Sequence, residues 1–195
     1  MSTQPVRNLE GKVVIVTGGA SGIGGAVTRA FVKRGAKVVA VDLDTQAGEA
    51  LASELGESVA FMTGDVANPA VAQAAVERAV GRFGKLDALV NNAHASSQGT
   101  FLEHTPQMWE LSFNTGLFAT RNFMLAAYAE LKKSRGAVVN FGSGAGIEGQ
   151  PTQASYAAAK EAIRGLSRVV ANEWALEGIR AVSYTHLTLP TSDLV

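Results

Sequence analysis

The sequence predicts a doubly wound parallel α/β sheet in a single domain, and three observations carry that prediction. Short apolar runs alternate with longer helical stretches, the first run ends in a Gly-rich turn, and neither a linker nor a repeat interrupts the alternation. Lys12 to Thr17 holds Val13-Val14-Ile15-Val16, a β-branched run too short for a helix and apolar on both faces, which reads as a central parallel strand. After the turn comes a helix from Ala26 to Arg34, stopped by Gly35, and then a second strand at Lys37 to Val41. Together these form a β-α-β unit of about 30 residues. The pattern continues with a helix near Thr45 to Leu55, a strand at Ser58 to Met62, a helix from about Asn68 to Arg82, and a strand at Leu86 to Val90. Pro106 suits a first helical position, so a long helix is expected from there to Lys133. A strand at Ala137 to Phe141, a helix from about Gln153 to Glu177 and a strand beginning near Ile179 complete the alternation.

Composition narrows the function. The 195 residues include 47% apolar and 17% charged residues and 21 Gly, the profile of a buried, Gly-rich globular domain rather than a disordered or coiled-coil chain. Seventeen basic and seventeen acidic residues cancel. No global field then draws the chain to nucleic acid or an anionic membrane, so neither is expected as a partner, and a small molecule is. The absence of Cys removes disulfides, thiolate nucleophiles and Cys-type zinc sites. With no signal-peptide core near the start and no run of about 18 apolar residues, a cytoplasmic location is the expectation.

Chemistry enters at the first turn. Thr17-Gly18-Gly19-Ala20-Ser21-Gly22-Ile23-Gly24 lies where strand passes into helix, so its glycines let the backbone approach a pyrophosphate that meets the open N–H groups of the helix start. Gly18, Ser21, Gly22, Ile23 and Gly24 are the expected contacts. No Gly-Lys-Ser/Thr follows, which argues against a nucleoside-triphosphate loop. Asp42 ends the second strand, 18 positions after Gly24, where a carboxylate accepts hydrogen bonds from the adenosine ribose. It would repel a 2′-phosphate, and no basic residue stands nearby, so NAD is expected over NADP. Asp44 and Thr45 are the better candidates to cap the next helix. Asp65-Val66 follows the third strand, where Asp65 could reach an adenine amino group or simply open a turn.

Tyr156 and Lys160, four apart at the start of a helix, project from one face. A free phenol titrates at about 10, so proton exchange near neutral pH needs a bias of about 4 kcal/mol. One ammonium about 4 Å away, in an effective dielectric of about 20, supplies about that much. Alone, such a pair also fits an ordinary surface helix.

The Gly-rich turn, Asp65-Val66, Asn91-Asn92-Ala93, Ser143 and Tyr156-Ala157-Ala158-Ala159-Lys160 occur together and in order. In this the chain resembles the short-chain dehydrogenase/reductase family, over about Leu9 to Arg180. The resemblance implies a Rossmann-like fold and a nicotinamide cofactor. It also implies roles: Tyr156 as general acid/base, Ser143 as hydrogen-bond partner of the substrate oxygen, and Lys160 assisting Tyr156 and binding the nicotinamide ribose. Asn114 would hold a water in the proton relay, while Asn91 and Ala93 would brace the sheet and contact the cofactor. Homodimers or homotetramers are implied too, and Trp109 to Leu131 and Tyr156 to Leu176 carry more apolar stripes than sheet packing alone needs.

Two departures stand out. His94 replaces the Gly that usually follows Asn-Asn-Ala, either as a tolerated loop side chain or as a substrate-facing imidazole. After Gly178-Ile179-Arg180 the family's Asn and Pro-Gly are absent, so residues 183–195 are expected to be an atypical, non-native tail on a 1–182 oxidoreductase domain whose last elements are missing. The expected activity is NAD(H)-dependent hydride transfer with an alcohol or carbonyl substrate. The rivals are a silent dinucleotide-binding module, a methyltransferase on a similar sheet, which would need no Tyr–Lys pair, and an inactive fragment.

Overall fold

The computed structural model describes residues 8–185. Six parallel strands form one sheet in the order β3-β2-β1-β4-β5-β6, with β1 Val13–Thr17, β2 Lys37–Asp42, β3 Val59–Thr63, β4 Ala88–Asn91, β5 Ala137–Phe141 and β6 Arg180–Tyr184. Chain direction across the sheet reverses between β1 and β4, and a crevice opens there at the carboxyl ends of the strands. The expected α/β architecture is therefore the observed one.

Both faces of the sheet are apolar because alternate residues of each buried strand point to opposite sides. Val13, Ile15, Val39, Val41, Leu89 and Val138 meet one set of helices: α3 (Pro69–Phe83), α5 (Ala119–Ser134) and α7 (Ala154–Trp174). Val14, Val16, Val38, Ala40, Val90 and Val139 meet α1 (Gly22–Lys33) and α2 (Thr45–Leu55). Helix ends follow local chemistry. Asp44 caps α2 by accepting from Ala47 N–H, and Asn68 caps α3 by accepting from Ala70 N–H.

Several boundaries differ from the sequence expectation, each for a tertiary reason. The first helix begins at Gly22 rather than Ala26, because packing against the turn holds glycines that intrinsic propensity would leave unwound. β4 begins at Ala88 instead of Leu86, since the Asp87 carboxylate, not a ladder partner, takes Val13 N–H at 2.9 Å. The helix expected over Pro106 to Lys133 is three pieces: α4 (Pro106–Ser112), a π turn (Phe113–Phe118) and α5. The break falls on Asn114-Thr115-Gly116, where Thr115 Oγ1 lies 2.7 Å from Leu111 O, a back-bond that bends helices. A short helix, α6 (Gly144–Glu148), had no sequence signal beyond its cap Ser143. The last helix runs Ala154–Trp174, with a 3₁₀ turn over Ala175–Glu177. Ser183 and Tyr184 pair with Asn140 and Phe141 as part of β6, while 186–195, the rest of the expected tail, lie outside the described residues.

Candidate active site

The crevice at the strand ends holds two adjoining cavities. The larger, about 360 Å³, is lined by Gly18, Ser21, Ile23 and Gly24 from the first turn, Asp42 and Leu43 after β2, Gly64, Asp65 and Val66 after β3, Asn92 to Ala95 after β4, and Thr115. The smaller, about 240 Å³, is lined by Ile23, Asn92, His94, Phe141, Gly142, Ser143, Tyr156, Lys160, Tyr184 and Thr185.

Glycine is required in the first turn by geometry. Gly18 has φ +61°, and a Cβ on Gly24 would sit 1.9 Å from Gly18 O. Ser21, the N-cap of α1, makes no side-chain cap bond, and the first turn of α1 carries no acidic residue. The helix start thus offers uncapped N–H groups and a positive dipole end, which fits an anionic phosphate group. Gly22 begins the helix but is not among the residues lining the cavity.

Asp42 is oriented by two backbone donors, Ala20 N–H at 3.0 Å and Asp44 N–H at 3.2 Å. These bonds tie β2 to the first turn and fix the carboxylate on the cavity wall. Asp65 does both things its position allows. It accepts from Ala67 N–H at 2.9 Å, opening a turn, and with Val66 it lines the cavity. Asn91 faces inward instead: it is buried and donates from Nδ2 to Asn140 Oδ1 at 2.8 Å, bracing β4 against β5. Its neighbour Asn92 does what the sequence reading overlooked, donating from Nδ2 to Thr17 O at 3.0 Å and lining both cavities. Position within Asn91-Asn92-Ala93 was the only signal for it. Thr17 Oγ1 accepts from the N–H groups of Asn92 and Ala93, at 3.0 and 3.1 Å, pinning that loop to β1.

Ser143, Tyr156 and Lys160 meet in the smaller cavity, from the α6 cap and the first turns of α7. Ser143 Oγ accepts from Ala145 N–H at 3.2 Å and so keeps its own proton to donate. Lys160 is 4% exposed, and its Nζ donates to Phe141 O at 2.7 Å and lies 5.5 Å from the Tyr156 ring centroid. Burial pushes the ammonium down to about 8, because a charge is costly where water is scarce. Asn114 stands in the π turn, is exposed, and is not among the residues lining either cavity. His94 lines both cavities, and its ring lies 4.8 Å from that of Tyr156. Among the described residues no cluster of three or more His, Cys, Asp or Glu could hold a metal, and no helix is long and apolar enough to cross a membrane.

Comparison with known proteins agrees with this geometry. The family model described as short chain dehydrogenase matches residues 12–189. The chain is 41% identical over 181 residues to 12alpha-hydroxysteroid dehydrogenase of Clostridium sp., covering 87% of this chain and 70% of that protein. It is 38% identical over 176 residues to L-fucose dehydrogenase of Mus musculus, covering 90% and 64%. D-threitol dehydrogenase of Mycolicibacterium smegmatis is 37% identical over 176 residues, covering 88% and 68%. The chain thus spans about two thirds of the length of these relatives, all named as dehydrogenases. Sheet topology, the glycine cradle, the clustered Ser143, Tyr156 and Lys160, and these matches lead to one conclusion: the chain belongs to the short-chain dehydrogenase/reductase family.

Proposed function

We propose that the protein is an NAD(H)-dependent oxidoreductase acting on a secondary alcohol or the corresponding carbonyl, with Tyr156 as general acid/base. The observation that carries this reading is the junction of the two cavities, which brings Ser143, Tyr156 and Lys160 to the end of a cleft fit for a dinucleotide. The cofactor supplies the hydride acceptor or donor when bound. The chain's own residues do the rest. Ser143 donates a hydrogen bond to the substrate oxygen, and Tyr156 gives or takes the proton on that oxygen. Lys160, held over the Tyr156 ring and anchored on Phe141 O, places its ammonium beside the phenol and reaches the nicotinamide ribose. Asn114 has the proton-relay role its motif position implies. Gly18, Ser21, Ile23, Gly24, Asp65, Val66 and Ala93 form the cofactor-binding set, with Gly22 shaping the turn and Asn91 bracing the strand end that carries it. Asp42, on the wall of the cleft with no cation at hand, favours a free ribose over a 2′-phosphate.

The same reading takes residues 1–182 as one oxidoreductase domain with an atypical 183–195, working in the cytoplasm as a homodimer or homotetramer. Of the outer apolar residues on the long helices, Leu125 is 63% and Val169 51% exposed, and burying them is what such assembly would gain. Neither a nucleic acid nor a membrane is a partner in this reading.

Fluorescence titration with NADH and NADPH, followed by NADH formation from a panel of steroid, sugar and polyol alcohols, tests the proposal. Tighter NADH binding and turnover of at least one secondary alcohol are expected. Tighter NADPH binding would remove the cofactor preference, and turnover of none of the alcohols would count against the activity.

A further inference from the structure

His94 stands where the family's usual Gly would leave open space, and it is tied to three elements at once. Its Nε2 lies 2.9 Å from Oγ of Ser112, the fully buried last residue of α4. Its Nδ1 is buried with no hydrogen-bond partner. The ring is therefore held through Nε2 alone, on the buried Ser112 hydroxyl. The ring meets Tyr156 of α7 at 4.8 Å between centroids, tilted by 41°. It also meets Gly116 of the π turn, where a Cβ would come within 2.7 Å of the imidazole Cε1. The next residue strengthens the clip, because Ala95 N–H donates to Thr115 Oγ1 at 2.9 Å. Among the described residues, Ile23, Asn92 and His94 alone line both cavities. The imidazole is therefore at the doorway between the cofactor cleft and the reacting pocket, and the break in the α4–α5 helix is shaped around it.

We propose that His94 is a positioning residue for Tyr156: its imidazole couples the Tyr156 ring to Ser112 and the π turn, holding the ring in one orientation at that doorway. The proposal rests on the oxidoreductase reading for its consequence in turnover, but its geometry is testable without substrate. Chemically the arrangement suits a wall rather than a proton carrier. Burial, and then the charge of Lys160, hold the imidazole down to about 3, so it stays uncharged beside the ammonium. A neutral ring can pack on a phenol without competing for its proton.

The test uses the whole chain with ring-labelled His and Tyr. There are three of each, so the spectra are simple and assignable by single Tyr→Phe substitutions. In the wild type, ring protons of His94 and Tyr156 should give a mutual nuclear Overhauser effect. His94→Gln keeps a polar group for Ser112 but removes the ring, so the Tyr156 resonances should move while those of Tyr128 and Tyr184 stay in place. Ser112→Ala keeps the ring and cuts its anchor, and should move Tyr156 by less. In turnover, His94→Gln should lower kcat about ten- to a hundredfold, as a misplaced reacting group does.

Absence of the wild-type His94–Tyr156 effect would overturn the proposal. So would an unmoved Tyr156 in His94→Gln, or equal movement of all three Tyr rings, which would mark general loosening. If His94→Gln does not fold, the wild-type effect and Ser112→Ala decide. If the wild type binds NADH but turns over no alcohol, the activity reading fails while the ring measurements still decide the placement.

Discussion

Asp87 and Lys160 are both buried ionisable side chains, one at each end of the parallel strands, and their surroundings treat charge in opposite ways. At the amino ends of β1 and β4, burial opposes ionisation of Asp87, but it accepts from Lys12 Nζ at 2.7 Å and Val13 N–H at 2.9 Å, and Lys85 lies 3.1 Å away. The bonds win, and its carboxyl is held below the usual carboxylate range. At the carboxyl ends Lys160 has one backbone carbonyl as its partner, and burial pushes it down to about 8. One end of the sheet is built to stabilise a charge and so hold strands together. The other tolerates a charge at a cost to stability, which is the expected mark of a group kept for chemistry. The contrast can be broken from either side by substitution.

The largest effect is expected at the chemical end. Lys160→Ala should reduce alcohol-dependent NADH formation by at least about a thousandfold and also weaken NADH binding, because in the proposed function the one side chain serves phenol and ribose. Its melting temperature should not fall in proportion, since the ammonium is not a net stabiliser. Steady-state rates, NADH titration and calorimetry on the same preparation separate the two. Unfolded Lys titrates at about 10.4, so between there and about 8 folding releases a proton. Wild-type stability should therefore decline as pH falls through that window, a slope that Lys160→Met should flatten.

Asp87→Asn should do the reverse: about 1 to 3 kcal/mol less stability by denaturant titration, and unchanged NADH affinity. Because the folded pKa of Asp87 is depressed, its contribution is complete above about pH 4 and is lost as pH falls below that, through the folded value. Asp87→Asn should remove that part of the acid transition. His94 adds an acid-side loss of its own. The unfolded imidazole takes a proton at about 6.5 and the folded one only at about 3, so stability should fall between these, and His94→Gln should reduce that slope.

The smallest effect is expected at Asp42→Ala, which should narrow the gap between NADH and NADPH binding by about tenfold, as read by paired fluorescence titrations, with a small fall in melting temperature. Asp42 holds the exposed Asp44 N–H, where water replaces a lost acceptor, and the N–H of the buried Ala20, whose loss of a partner accounts for the small fall in stability.

What could be read from the sequence follows the same division. The adenosine end depends on local pattern: a β-branched run, glycines that must be glycines, and a carboxylate at a strand end. All of these are visible within one β-α-β unit. Strand positions and helix alternation follow from run length and apolarity in the same way, and β5 has its expected bounds. The reacting end depends on contacts between distant segments. Nothing near Pro106 announces that Thr115 will back-bond to Leu111 and divide the helix, or that Gly116 will face His94. Asn92 was passed over for Asn91 because adjacent residues in a strand end point to opposite sides, and only the register shows which one faces the crevice. Ser143 was named from its motif, but its position as the cap of α6 required the fold.

The central claim is that the carboxyl ends of β4 and β5 form a proton-transfer site in which Tyr156 is the acid/base. The most direct measurement compares wild type and Tyr156→Phe for NADH formation from a secondary alcohol that the wild type oxidises, with NADH binding followed by fluorescence in the same samples. The account predicts a loss in kcat of about a hundred- to ten-thousandfold, with the NADH dissociation constant within about twofold of wild type. Near-normal turnover by Tyr156→Phe, with cofactor still bound, would contradict it.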